Sequence, residues 1–336
     1  MVKGVKARAG ASVSRRAVPV VAGGVWIVVS AARASAAVVA TSVPTPVALP
    51  PADPGRQLPA ANEWMTWGVL ILAAALVVVL WFTDILRPGA LVRRGVRRVE
   101  SAPWWVWLAA GVLVYVTAAF AGSLTNAALG IPWFVSPPLK AQVVVQVAAT
   151  VAGIAAGVAM VRMLRAGTGP APDGLSLRWS DSAVGLWCFV VGYPIILAVS
   201  QLSVWAVKAL SGRQPDALAH DTLKEIAGNS EDPWVWGLRI TAVLLVPAFE
   251  ELIYRVGFQS AILRATGKPW AAVVGASAIF TAAHSNVMPW HALAVIAALS
   301  LAIGLAYERT KRLGVPIVMH ALFNAVNVAF AMGVGQ

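Results

Sequence analysis

The stretch LRITAVLLVPAFEELIYRVGFQSAIL, residues 238–263, is apolar enough to cross a lipid bilayer, yet carries Glu250, Glu251 and Arg255 near its middle. A helix rises 1.5 Å per residue and the hydrocarbon layer is about 30 Å thick, so about 20 mainly apolar residues make a crossing. A charge at that depth costs roughly 2.5–3.5 kcal/mol on insertion scales, which makes such a residue a functional candidate by default. Two further runs share the anomaly. AAVVGASAIFTAAHSNVMPW, residues 271–290, carries His284, and VPIVMHALFNAVNVAF, residues 315–330, carries His320 and Asn324.

Outward from these three runs the chain repeats the same composition. Apolar runs fall at about 64–86, 104–125, 140–163, 183–207, 234–255, 270–288, 290–307 and 315–334, which predicts eight spans. Of the 336 residues 59% are hydrophobic and 12% charged, against about 25% charged in soluble domains. The predicted fold is therefore all-α: a polytopic transmembrane bundle of about eight helices, with its polar site inside the C-terminal ones.

The net charge of +12 does not indicate nucleic acid, because the basic residues sit in short segments between apolar runs rather than along one soluble face. Arg87, Arg93, Arg94, Arg97 and Arg98 place the first connection in the cytoplasm by the positive-inside rule. Alternation then puts Arg162, Arg165, Arg178, Arg264, Lys268, Arg309, Lys311 and Arg312 on that same side, and the acidic segment 209–233 on the other. Trp64, Trp67, Trp104, Trp105, Trp107, Trp234 and Trp236 open their runs, and with Trp290 and Tyr307 read as interfacial anchors.

Residues 1–40 combine a basic start, an apolar run and the small-residue stretch Ala34-Ser35-Ala36, the pattern of a signal peptide, with an uncleaved signal anchor as the alternative. Residues 41–62 are proline-rich and form an extended linker. Residues 63–170 hold the N-terminal transmembrane helices and 183–334 the domain with the polar residues. The single cysteine, Cys188, lies in an apolar run and offers neither a disulfide framework nor a thiolate cluster.

Positions four apart share a helix face, while adjacent ones diverge by about 100°. Glu251 and Arg255 can thus pair within their helix, leaving Glu250 to face a polar cavity as a general base. His320 and Asn324 share a face and can offer donors to a developing oxyanion. His220, in the outer loop, and His291, at a membrane boundary, stand outside this set. HExxH, Walker and GxSxG motifs are absent, which argues against the common zinc, nucleotide and serine-hydrolase sites.

EELIYR reads as EExxxR, FTAAH as FxxxH and HALFN as HxxxN, in that order. In these motifs the chain resembles the CPBP family of intramembrane peptidases, which includes the CAAX prenyl endopeptidases; the likeness covers about residues 183–334. It implies an intramembrane endopeptidase in which Glu250 and His284 activate water, and His320 and Asn324 stabilise the oxyanion. Glu251 and Arg255 would support the site and Phe280 would pack beside His284. The same groups suffice without a metal, so no cofactor is expected; if zinc is used, Glu250, His284 and His320 would hold it. The implied partners are the lipid bilayer and a membrane-associated protein or peptide substrate, not nucleic acid. The implied location is a multi-pass position in a membrane, which for a bacterial chain is the cytoplasmic (inner) membrane. A non-catalytic immunity or scaffold protein that keeps the fold is the alternative, and a transporter is disfavoured by the lack of an internal repeat.

Overall fold

The computed structural model describes residues 63–99, 101–132, 137–165 and 173–334. The leader, 1–40, and the linker, 41–62, lie outside the described residues. Within them every regular element is helical. In chain order these are α1 (Glu63–Phe82), the short α2 (Ala90–Arg93), α3 (Trp104–Ala128), α4 (Leu139–Arg165), α5 (Asp181–Ser211) and α6 (Asp221–Gly228). A continuous helix, α7, then joins Trp234–Ile240, Thr241–Leu245, Val246–Glu251, Leu252–Gln259 and Ser260–Thr266, its second and fourth segments in π geometry. α8 (Pro269–Ala283), α9 (Trp290–Thr310) and α10 (Gly314–Val334) complete the described chain.

Six of these, α1, α3, α4, α5, α9 and α10, are long and apolar enough to cross a membrane, so the chain is a multi-pass membrane protein. The other two expected spans take different forms. The run 234–255 is the first part of α7, which continues to Thr266 and ends at Gly267 in the left-handed conformation. The run 270–288 stops as a helix at Ala283, with His284 as its C-cap and Pro289 as the N-cap of α9. Prolines set these boundaries, since Pro269 lies in the first turn of α8, where its missing N–H costs no bond.

The connections gather as charge alternation demands. Arg309 Nη1 donates to the Asp84 carbonyl at 2.9 Å, Arg264 Nε to the Ala102 carbonyl at 3.2 Å, and Arg312 Nη1 to Asp181 Oδ1 at 3.1 Å. Leu313 N reaches the Ser176 carbonyl at 3.0 Å. The basic segments thus share one end of the bundle. At the other end α6 packs Ile226, with Val235 of α7, against Val328 and Ala331 of α10.

Helix faces, invisible to a positional reading, correct two aromatic assignments. Trp64 and Trp105 are 84% and 58% exposed, as lipid or interface contacts should be. Trp107, however, is fully buried and its indole N–H donates to the Val99 carbonyl at 3.2 Å. Tyr307 is also fully buried, with the Arg97 guanidinium 4.3 Å from its ring centroid.

Where α3 crosses α7, glycine lets the backbones touch. A Cβ on Gly257 would lie 2.6 Å from Gly111 Cα, a contact with backbone that no rotamer can relieve. Gly257→Ala is expected to cost about 2 kcal/mol through overpacking, read as a lower thermal unfolding temperature in detergent. Gly68→Ala, with nothing within 4 Å of the added methyl group, serves as the unaffected control.

Candidate active site

The site forms where α7 meets α8 and α10. π turns bond i to i+5 and occur mostly as single-turn insertions, often at functional sites. Here one π segment precedes the Val246–Glu251 turn and the other follows it, so the two glutamates sit between two changes of helical register. Glu251 is fully buried and uses both oxygens: Oε2 accepts from Arg255 Nε at 2.8 Å, and Oε1 lies 2.8 Å from His320 Nδ1. An ionised carboxylate only accepts, which places a proton on His320 Nδ1 and turns Nε2 toward Glu250, 3.6 Å from its Oε2.

His284 repeats this logic with a different partner. Its Nδ1 lies 2.8 Å from the Phe280 carbonyl, which also only accepts, so its Nε2 is left facing Glu250 Oε1 at 3.9 Å. Each Glu250 oxygen therefore looks at an imidazole Nε2. The Glu250 and His284 side chains keep 18% and 16% exposure, in contrast to Glu251, and so remain reachable. The Phe280 ring lies 4.5 Å from His284, tilted by 37°, and stands 5.8 Å edge-on to His320, walling the two imidazoles apart from the apolar core.

Three helices thus bring Glu250, Glu251, Arg255, His284, Phe280 and His320 together. Asn324 lies one turn beyond His320 on α10 and gives one amide N–H to the Ala242 carbonyl, 2.8 Å away in the first π segment. That bond ties α10 to α7 and leaves the second amide N–H for another acceptor. The donor chemistry suits zinc, because each imidazole is held through its other nitrogen by a carboxylate or a carbonyl. Among the described residues, however, no three His, Cys, Asp or Glu side chains are gathered closely enough to hold a metal ion.

Sequence reading left Gln259 and Ser300 unassigned. Arg255 Nη1 donates to Gln259 Oε1 at 3.1 Å and Nη2 to Ser300 Oγ at 2.9 Å, all of them buried. The signal was available: Glu251, Arg255 and Gln259 recur every four residues on α7, as Ser300, Gly304 and Glu308 do on α9.

His220 also lies closer to the site than its loop position implied. It caps α6, its Nδ1 accepting from Thr222 N at 3.1 Å. Burial, with the His284 imidazole adding to it, pushes its pKa down to about 4. An unfolded histidine binds its proton near pH 6.5, so the folded loop loses stability as pH falls from there toward 4. The protonated ring also has no lone pair left to cap α6. The protection factors of the amides over residues 220–228, that is, exchange corrected for the intrinsic rate at each pH, are expected to fall between pH 7 and pH 5. His220→Asn, which caps without titrating, should abolish that step.

Residues 232–326 match a family model described as type II CAAX prenyl endopeptidase Rce1-like. No curated protein and no solved structure matches the chain.

Proposed function

We propose, from the match of residues 232–326 to the type II CAAX prenyl endopeptidase Rce1-like model, that the chain is an intramembrane endopeptidase acting on a membrane-associated protein or peptide. The observation that carries this reading is the meeting of Glu250 with the Nε2 atoms of both His284 and His320 inside the bundle. A water between Glu250 and His284 gives a proton to Glu250 as its oxygen attacks the peptide carbonyl carbon. The carbonyl π electrons move to oxygen, where the second Asn324 N–H and the His320 ring donate. His320 donates from Nε2 when it carries a second proton, its positive charge lying against Glu251. As the carbon–nitrogen bond breaks, Glu250 returns its proton to the leaving amine and the acyl carbon becomes a carboxyl group.

No step needs a metal, and zinc held by Glu250, His284 and His320 would supply a polarised water instead. The test is cleavage of lipidated and plain membrane peptides by the purified full chain in lipid vesicles. Wild type should cleave at the same rate with or without a chelator, and His284→Ala, folded as wild type, should lower kcat by about a hundredfold, the scale of losing a group that positions the attacking water. Inactivation by the chelator, reversed by added zinc, would overturn the metal-free mechanism. A wild type that cleaves nothing, with His284→Ala keeping its cellular phenotype, would replace the peptidase with a scaffold or immunity protein.

A further inference from the structure

Behind Glu250 and Glu251 runs a buried line of polar groups that ends on a residue outside the matched segment 232–326. Beyond Arg255, the amide of Gln259 donates to the Gly304 carbonyl at 3.0 Å and to Glu308 Oε1 at 2.9 Å, so its own oxygen must face Arg255. Glu308 Oε1 also receives Arg97 Nη2 at 3.0 Å and Nε at 3.3 Å. Arg97 Nη1 then donates to Ser260 Oγ at 3.0 Å and to the Asp173 carbonyl at 3.2 Å. None of the residues along this line is more than 4% exposed, from His320 through Glu251, Arg255, Gln259 and Glu308 to Arg97.

The charges alternate in sign along the line: Glu251, Arg255, Glu308, Arg97. Each inner charge therefore has opposite charge on either side, as buried ions require. The helix packing is shaped around it. A Cβ on Gly304 would stand 3.0 Å from Gln259 Oε1 and 3.2 Å from Arg255 Nη1, so glycine leaves the room through which the line passes α9. Gly174, at φ +88°, does the same for Arg97: a Cβ there would stand 2.5 Å from its Cδ. Arg97 belongs to the connection between α2 and α3, outside the matched residues 232–326.

We infer that Arg97 and Glu308 are positioning residues for the Glu251–His320 pair, and that through Arg97 the N-terminal half of the chain holds the peptidase site in register. The line has no slack: Glu251 spends one oxygen on His320 and the other on Arg255, and Arg255 gives its two remaining nitrogens to Gln259 and Ser300. Loss of Arg97 leaves Glu308 a buried anion whose remaining donor is the Gln259 amide. Gln259 and Arg255 then readjust, and the hydrogen bond that sets the His320 tautomer loosens.

The kinetic arm of the test rests on the proposed peptidase activity, and a second arm does not. The chain has four histidines, so selective ¹⁵N labelling of the full chain in detergent resolves each ring. In wild type the Nδ1–H of His320 should give a downfield, slowly exchanging proton resonance. Arg97→Met, and the charge-neutral double variant Arg97→Gln/Glu308→Gln, should broaden or lose it while the His291 signals stay unchanged. Arg97→Lys should restore it in part. In cleavage assays the same variants should lose about tenfold in kcat with KM within about twofold, the pattern of a misaligned site rather than lost binding. Folded variants that keep both the His320 resonance and full kcat would overturn the inference. Should wild type cleave nothing, the peptidase reading fails alone, and the resonance still decides whether Arg97 holds His320.

Discussion

Glu250→Gln is expected to lower kcat by about a thousandfold while KM stays within about twofold. The amide is nearly isosteric and keeps an oxygen toward one imidazole, so packing around the half-buried side chain is preserved. On the proposed mechanism it removes the carboxylate that takes a proton from water and later returns it to the leaving amine. His284 Nε2 is 3.9 Å and His320 Nε2 3.6 Å from the carboxylate, and both rings are held through Nδ1 by the Phe280 carbonyl and Glu251. Single-turnover cleavage by the purified variant measures the loss. Retention of more than a tenth of the wild-type rate would exclude Glu250 as the base.

The second large effect falls on stability. Arg255→Met is expected to cost about 4 kcal/mol, because it strands the Glu251 carboxylate in an apolar interior with only His320 as partner, and frees the Gln259 and Ser300 acceptors as well. Thermal unfolding in detergent reads the change directly. Glu251→Gln combined with Arg255→Met should recover part of it, since the stranded charge is then gone. The Asp84–Arg93 pair is the natural comparison: it lies at the surface, where solvent screens it, so Arg93→Met should leave the unfolding temperature unchanged. Equal effects at the two positions would mean that burial does not govern the strength of these pairs.

Much of the membrane architecture was legible because a bilayer imposes a one-dimensional rule. Length and hydropathy select a crossing helix whatever its neighbours are, and six of the expected runs meet that rule. Four-residue spacing on one helix was equally readable, and the Glu251–Arg255 pair sits at that spacing with both groups fully buried. The same local rule failed where a helix departs from α geometry. Nothing in TAVLL or LIYRVGFQ marks a π turn, since the extra residue per turn is stabilised by what packs around it, such as the Asn324 amide on the Ala242 carbonyl.

By itself, then, the sequence determined a multi-pass helical chain, the ends of most of its spans and the rare ionisable residues within them, because the cost of placing each group in lipid depends on that group alone. Only the tertiary structure decided which imidazole nitrogens face Glu250, that Tyr307 and Trp107 are core residues, and that Arg97 closes a line of charge 211 residues away from Glu308 along the chain. Those outcomes depend on pairs of surfaces meeting across the bundle, and hydrogen-bond direction and ion pairing exist only once both partners are in place.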